Sequence, residues 1–449
     1  MLPLVLYRKW LLGHRSRWSR PMLLRLQQRE LAALRQHAYQ RSSFYRESHA
    51  GLYDSPLAEL PVMTKQQLIN NFDTVVTDPA IRLRDVIDHV AGMTGDALFL
   101  GRYRVVNTSG TTGLKGFFLY DPSEWAWVTA SYVRAFEWGR SRISLVHKQR
   151  MAMVSSLAPW HQSTRVGFTA NSPFVDTLRI DARQPLALII QNLNEFQPDS
   201  LVGYADMVRL LADEQDEGRL KISPRAIYCS SEPLTPQARS TIQSVWGIQP
   251  FNVYATTETA GIASECEFHR GLHLYEDLVI PEVLGEDYHP VAIGEYGSRL
   301  VVTVLFSRTV PLIRYELSDS VAISSDPCPC GRPFAMLKSV QGRQEDIVQL
   351  QDFHGDSVTI HPNLFHGVME GFPLKQWQIV QEPGRLRVLI QAEANGQLAS
   401  RLRTKMETAL NAAGARVPEI EIERVQEIQK TGIGKRKLIV AMSYSSTRA

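Results

Sequence analysis

The chain is poor in cysteine: four among 449 residues. So few thiols in so long a chain cannot form the dense disulfide framework of a small secreted scaffold, and a reducing, cytoplasmic setting is expected. Long apolar runs are also missing. "LPLVLYRKWLLG" near the start is interrupted by charge and falls short of the roughly 20 apolar residues a bilayer span needs. It carries no small-residue cleavage site, so neither a signal peptide nor a transmembrane helix is expected. The formal net charge is only +3, which gives no general argument for nucleic-acid binding. Arg8, Lys9, Arg15, Arg17 and Arg20 form a local basic cluster, read as a solvated face rather than a partner site. Internal repeats and low-complexity tracts are absent. With 44% hydrophobic and 21% charged residues, the chain has ordinary globular composition and material for two or three domains.

What is present is an alternation of helical and extended patterns. In "MLLRLQQRELAALRQHAYQ", residues 22–40, Leu23, Leu24, Leu26, Leu31, Leu34 and Ala38 are expected to make one helix face. Thr64 is placed to cap a short helix. "SEWAWVTASYVRAFEWG" reads as a helix and "QRMAMVSSLA" as a buried strand. Helix and strand then alternate through "QPLALIIQNLNEFQP", "SLVGYADMVRLLADEQDEG", "RAIYCSSEPLT", "PQARSTIQSVWG" and "QPFNVYATTE". This predicts an α/β fold with a substantially parallel sheet, whose ligands lie beyond the carboxyl ends of its strands. Beyond about residue 284 the texture becomes more β-like. The pattern predicts a large N-terminal domain over 1–343, of mixed sheets and helices, and a small C-terminal α+β domain over 344–449.

One stretch stands out chemically. "NTSGTTGLKG", Asn107–Gly116, holds Thr108, Ser109, Thr111 and Thr112 around Gly110 and Gly113, followed by Lys115. Glycines let a backbone approach an anion and hydroxyls donate to it. The lysine is followed by glycine, and the exit "GFFLY" reads as a strand, so the spacing and context of a P-loop are not met. Alone, the stretch supports either an anion site or a plain flexible turn.

Further motifs follow in order: "YATTETAG" at Tyr254–Gly261, "PLIRYELSD" ending in Asp319, "CPCGR", "GRQEDIV" and "KTGIGK". Together with "SGTTG" this set resembles the adenylate-forming superfamily, and within it the phenylacetate-CoA ligase branch with its coenzyme F390 synthetase and CapK-type relatives. "ECEFHRGLHLYED" carries that likeness too, and it runs from about residue 60 to 440.

The resemblance implies ATP-dependent activation of an organic, aromatic carboxylic acid as acyl-adenylate, then thioester formation with coenzyme A. Thr108, Ser109, Gly110, Thr111, Thr112, Gly113 and Lys115 would cradle the phosphates, and Glu258 would hold Mg²⁺. Tyr254 would pack on adenine, with Ser231, Glu232 and Pro233 across the slot. Asp319 would accept from the ribose hydroxyls, and Arg343 would sit near ribose and phosphate. Arg314 would either join them or brace the loop. Lys435, with Lys430 and Lys437 as rivals, would be the catalytic lysine of a mobile C-terminal domain pivoting at Glu345 or Asp346. His161 falls where the family places an acid-pocket residue; a core histidine is the plain alternative. The alternatives to CoA are an amine, a carrier protein, or transfer of AMP to a small molecule. A degenerate, non-catalytic member would serve as an interaction protein instead. A homodimer is compatible with the sequence.

Cys266, His273, Cys328 and Cys330 match a structural Cys₃His zinc set, with His269 as a second nitrogen candidate. Three buried free thiols are the other reading. Cys229 is expected in the core.

Overall fold

The computed structural model describes residues 1–108, 115–139, 148–170, 172–343, 348–360, 362–369, 372–374, 376–392, 397–428 and 438–442. Ser109, Gly110, Thr111, Thr112, Gly113, Glu345, Asp346, Lys430, Lys435 and Lys437 lie outside them, as does the side chain of Arg343.

Two helices, α1 (Leu2–Arg15) and α2 (Arg20–Arg41), open the chain. In α2 the residues Leu23, Leu26, Leu34 and Ala38 are buried, whereas Leu24 is 41% exposed. At 100° per residue Leu24 is turned off the stripe that Leu23 occupies, which corrects its expected place on that face. Short helices follow: α3 (Ser43–Ser48), α4 (Lys65–Asn70), α5 (Phe72–Val75) and α6 (Leu83–Ala91). Thr64 caps α4 as expected, in a reciprocal capping box with Gln67.

The hairpin of β1 (Arg104–Asn107) and β2 (Phe117–Tyr120) pairs Asn107 with Phe117. It therefore brings together the two ends of the glycine-rich stretch. Helix α7 (Pro122–Trp138) starts at a second capping box, Asp121 with Glu124. Strands and helices then alternate: β3 (Gln149–Ser155), α8 (Gln162–Ala170), β4 (Val175–Asp181), α9 (Leu186–Phe196), β5 (Ser200–Tyr204), α10 (Ala205–Asp216), β6 (Ala226–Ser230), α11 (Pro236–Trp246) and β7 (Phe251–Thr256). Then come β8 (Ala260–Glu265), β9 (Leu272–Leu274), β10 (Val279–Leu284), β11 (Tyr296–Gly297), β12 (Arg299–Val304), β13 (Tyr315–Leu317), β14 (Asp319–Ile323) and β15 (Met336–Arg343).

Ten of these strands make one sheet in the order β11-β14-β15-β9-β8-β7-β6-β5-β3-β4. From β7 to β4 every pairing is parallel, as the helix–strand alternation predicts. From β7 to β11 every pairing is antiparallel, so the sheet is mixed rather than mainly parallel. The change follows from connection length: the tight turn after β7 can only return antiparallel, whereas each earlier crossover contains a helix. Strands β10, β12 and β13 form a separate antiparallel sheet.

Residues beyond β15 form two further sheets. One pairs β16 (Val348–Gln351) with β17 (Ser357–Ile360). The other has β18 (Gln376–Glu382), β19 (Arg385–Gln391), β20 (Glu419–Arg424) and β21 (Ile439–Val440) in the order β20-β19-β18-β21. Helices α12 (Pro362–Met369) and α13 (Leu398–Ala412) accompany them. Their buried residues, among them Val348, Phe365, Ile379, Val388, Leu402 and Ile439, form a hydrophobic cluster of their own.

The basic N-terminal cluster is not a solvated face. Lys9 pairs with Glu137 at 2.7 Å and Arg20 with Glu276 at 2.8 Å. Arg8 donates to Ser123 at 3.2 Å and lies over the Trp127 ring. Arg15 is buried 3.9 Å from Asp277, which also takes both ends of the buried Arg134 guanidinium at 2.8 and 2.6 Å. Arg17 remains exposed. The positive charge is mostly spent in pinning α1 and α2 to α7 and the 276–277 turn. Among the described residues, no helix is long and apolar enough to cross a membrane.

Asp277 is the shared counterion of two buried arginines, so removing it strands both charges. Asp277→Ala should destabilise the protein by about 3–5 kcal/mol, read as an early shift of the urea-denaturation midpoint. A midpoint within error of wild type would show that the pair contributes nothing.

Candidate active site

Four chain segments meet near the ends of β1, β6, β7 and β14. At the hairpin, Thr108 N–H donates to the Gly116 carbonyl at 3.0 Å, and Gly116 N–H donates to Thr108 Oγ1 at 2.8 Å. The Thr108 hydroxyl therefore closes the neck of the glycine-rich stretch. A Cβ at Gly116 would be a tight fit, 3.1 Å from the Phe118 ring and 3.3 Å from Lys65 Cε. Lys115 is exposed beside it. The Asn107 N–H donates to the Trp160 carbonyl at 3.3 Å, joining β1 to the segment that enters α8.

The turn between β7 and β8 carries Thr257, Glu258 and Thr259. Glu258 is 9% exposed. The Tyr120 hydroxyl, at the end of β2, lies 3.1 Å from both the Thr257 and the Glu258 carbonyl oxygens. Burial and the Glu258 charge both push that phenol up, so it stays a neutral donor. The Thr256 and Thr259 hydroxyls meet at 3.1 Å. Gly261 follows because nothing larger fits: a Cβ would lie 2.9 Å from the Tyr275 ring and 3.0 Å from Ser131 Oγ.

Tyr254 and Asp319, assigned separately to base and ribose, touch: the phenol donates to Asp319 Oδ2 at 2.8 Å. Asp319 is 5% exposed and faces Arg343 in the β14–β15 register. The turn after β6 presents Ser231 and Pro233 at the surface, with Ser231 in the left-handed region at φ 67°. Glu232 turns its carboxylate to the N-terminus of α10, where Oε2 accepts from Asp206 N–H at 3.2 Å. That contact suits a helix N-terminus.

Arg314 is a brace. It pairs with Glu282 at 3.0 Å, donates to the Ala58 carbonyl at 2.7 Å, and also donates to the Leu60 carbonyl. His161 is 9% exposed just before α8, with Nδ1 2.8 Å from Ser163 Oγ. Its neighbour Gln162 is tied to the Thr257 carbonyl and to Tyr132. Sequence reading missed Tyr120, Tyr132 and Gln162, which lie in segments read only as strand, helix and loop.

A second cluster forms on the antiparallel side of the sheet. The ligand atoms of Cys266, His273, Cys328 and Cys330 all lie within 4.8 Å of one another. Cys266 Sγ is 3.6 Å from Cys328 Sγ, and Cys330 Sγ is 3.3 Å from His273 Nε2. Pairing of β15 with β9 sets Met336 opposite His273 and so delivers the Cys-Pro-Cys turn. Burial pushes the Cys266 and Cys328 thiols up and lowers His273 to about 4, keeping the imidazole neutral. His269 is not a member: its Nδ1 faces Glu265 at 3.1 Å and its ring packs on Phe251, centroids 4.4 Å apart. Cys229 is fully buried core, as expected.

No family model matches the chain. It is 26% identical over 197 residues to a phenylacetate-coenzyme A ligase of Thermus thermophilus, a match covering 42% of this chain and 43% of that protein. It is 24% identical to protein CapK of Staphylococcus aureus over 66% of this chain and 60% of the relative. The chain thus spans about half the length of these two curated relatives. A phenylacetate-coenzyme A ligase of Aromatoleum evansii matches at 25% over 74% of this chain and 72% of its own length.

Among solved structures, 2-hydroxyisobutyryl-CoA ligase in the postadenylation state superposes with a TM-score of 0.74 at 18% identity, covering 96% of this chain and 91% of that one. The same ligase in its thioesterification state gives 0.57 at 19% identity over 96% and 90%. The fold is that of the adenylate-forming CoA ligases. The curated relatives that the chain resembles are phenylacetate-coenzyme A ligases and the protein CapK.

Tyr120→Phe leaves two carbonyls on the Glu258 turn short of a shared donor. A loss of about 1–3 kcal/mol in stability is expected, with faster hydrogen exchange in residues 256–261 than in the α10–α11 region. Unchanged exchange there would show that the turn does not need the bond.

Proposed function

We propose that the protein activates an organic, aromatic carboxylic acid with ATP and passes the acyl group to coenzyme A. The observation that carries this reading is the Tyr254–Asp319 contact at 2.8 Å, opposite Arg343 in the strand register, with the Glu258 turn that follows Tyr254 tied to the far end of β2 by the Tyr120 hydroxyl. Tyr254 and Asp319, which the resemblance assigns to base and ribose, come from distant parts of the chain into contact.

On this reading a carboxylate oxygen attacks the α-phosphorus, the bond to the β-phosphate breaks, and pyrophosphate leaves. The CoA sulfur then attacks the acyl carbon and AMP leaves. The protein must bring anions together, so its work is alignment and charge compensation. Asp319 accepts from the ribose hydroxyls and Tyr254 packs on the base, held at its hydroxyl by Asp319. Ser231, Glu232 and Pro233 flank the base. Thr108, Lys115 and the intervening Ser109, Gly110, Thr111, Thr112 and Gly113 surround the phosphates. Arg343 lies toward ribose and phosphate. Glu258 supplies the carboxylate that would hold Mg²⁺, whose charge would offset that of the phosphates. His161 is the acid-pocket candidate.

Residues 344–449 are proposed as the small mobile domain, pivoting at Glu345 or Asp346 and carrying Lys435. Support comes from the separate hydrophobic cluster of that region and from the family pattern around Thr431, Gly432 and Gly434. Pyrophosphate exchange into ATP should depend on an added aryl acid, and a thioester should appear when CoA is supplied. Lys435→Ala should slow adenylation roughly 10²–10³-fold while ATP binding persists. Exchange with no acid of a broad panel would sink the reading. Exchange without thioester would move the acceptor to an amine or carrier protein, and normal adenylation by the variant would favour Lys430.

The second cluster is proposed as a structural zinc site held by Cys266, His273, Cys328 and Cys330. Tetrahedral bonds of about 2.3 Å to sulfur and 2.0–2.1 Å to nitrogen imply edges of about 3.8 and 3.6 Å. The Cys266–Cys328 and Cys330–His273 separations of 3.6 and 3.3 Å lie within about 0.3 Å of these edges, and all four ligand atoms lie within 4.8 Å of one another. Zinc would cross-link β8, β9 and the turn before β15. Elemental analysis should find about one equivalent, lost in Cys328→Ser/Cys330→Ser together with a lower melting temperature. Less than about 0.2 equivalents in wild type would leave only a cluster of thiols.

A further inference from the structure

We propose that Gln162 is a positioning residue: its amide holds the Thr257–Glu258 turn in register with the acid-binding side of the site. The proposal rests on the reading of Glu258 as the carboxylate for the magnesium of MgATP.

Gln162 opens α8 directly after His161 and is 4% exposed. Its Oε1 accepts from the Tyr132 hydroxyl of α7 at 2.8 Å. That bond fixes which way the amide faces, and Nε2 donates to the Thr257 carbonyl at 3.4 Å. The same carbonyl takes the Tyr120 hydroxyl, which also reaches the Glu258 carbonyl. Two residues before Gln162, the Trp160 carbonyl accepts the Asn107 N–H. The short segment 160–162 is thus bonded to both elements assigned to the nucleotide: the hairpin that leads to the glycine-rich stretch, and the Glu258 turn.

Only an amide meets both demands at this position, accepting from a phenol and donating to a carbonyl at once. Burial pushes the Tyr132 phenol up, so it remains a donor throughout the neutral range. Glutamate could still accept from Tyr132, but would face the carbonyl with a second acceptor and add negative charge near Glu258. Leucine would remove both bonds at similar volume. If Gln162 merely filled space, Gln162→Leu would be the mildest change and Gln162→Glu the worst only in stability. If it positions the turn, all three variants, Tyr132→Phe included, should raise the magnesium needed for ATP binding.

The test measures ATP affinity by calorimetry across a magnesium titration, alongside acid-dependent pyrophosphate exchange, for wild type, Gln162→Leu, Gln162→Glu and Tyr132→Phe. Gln162→Leu and Gln162→Glu should raise the magnesium needed for half-maximal ATP binding roughly 5–10-fold and lower kcat about 10-fold. Tyr132→Phe should shift both by about 2–3-fold. Binding and exchange within about 2-fold of wild type in both Gln162 variants would overturn the proposal. Should they fail to fold, Tyr132→Phe decides: an unchanged magnesium requirement overturns it. A wild type that binds MgATP but exchanges no acid would instead defeat the functional reading, while the calorimetric comparison still decides the role of Gln162.

Discussion

The site depends on one shared hydrogen bond, from the Tyr120 hydroxyl to the Thr257 and Glu258 carbonyls. A two-stranded hairpin is marginal alone, and β1–β2 is a two-stranded sheet outside the main one. Both its faces pack into the largest core cluster, Val106, Phe118 and Tyr120 on one and Val105, Phe117 and Leu119 on the other, and Phe118 meets the Tyr315 ring edge-on. Packing fixes where the hairpin lies. The Tyr120 bond anchors the base of the hairpin, where Tyr120 faces Arg104, to the Glu258 turn, so the position of the tip relative to that turn depends on it through the rigidity of the paired strands. An error of an ångström here would matter more than a comparable shift in the helices.

Local backbone conformation around the site supports the same view. Ser231, Ala260 and Arg314 all have positive φ, at 67°, 64° and 49°. Non-glycine residues persist there only where their surroundings over-determine them, at a cost of about 1–3 kcal/mol each. The restraints are visible. Glu232, next to Ser231, is bonded to the first turn of α10. Gly261, next to Ala260, donates to Ser131 Oγ at 3.2 Å. Arg314 is held by its own side chain on Glu282 and two carbonyls. In each case the positive φ falls at or next to the end of a strand.

Much of this was legible in the sequence, and the boundary of legibility has a physical cause. Helices and strands of the parallel half could be read because apolar spacing and capping are local: Thr64 with Gln67 is a three-residue signal. The Cys₃His cluster was legible because its ligand types are rare in this chain. What failed needed geometry. Leu24 differs from Leu23 only by its angle around the helix. The basic N-terminal residues read as solvated because Glu137, Glu276 and Asp277, their partners, are far along the chain. Tyr120 and Gln162 were invisible for the same reason: they act on backbone carbonyls, which leave no mark on the residue type they bond. His269 was misread because it is close in sequence to Cys266, while pairing with Glu265 turns its ring toward Phe251 instead.

If the proposed reading holds, the distribution of charge gives a reason for a lysine from elsewhere in the chain. The side chains that the fold gathers at the nucleotide turns are mostly acceptors: Glu258, Asp319 and Glu232 are carboxylates, and Thr256, Thr259 and Thr108 bond within the protein. Arg314, the cation of the "PLIRYELSD" motif, is committed to Glu282. A carboxylate approaching a phosphate would meet strong repulsion in such a setting unless cations arrive with the substrates or from another segment. Magnesium at Glu258, Lys115 at the hairpin neck and Arg343 beside Asp319 answer part of that need on the ATP side. None of them follows the acid's own charge to the α-phosphorus. A lysine carried on a separate, independently packed region can do so, and it can leave again when the thiol must approach the same carbon. On the proposed reading, the separate hydrophobic cluster of residues beyond 347 acquires a reason: the rest of the chain would hold acceptors in fixed register, and this region would deliver a positive charge only when it is wanted.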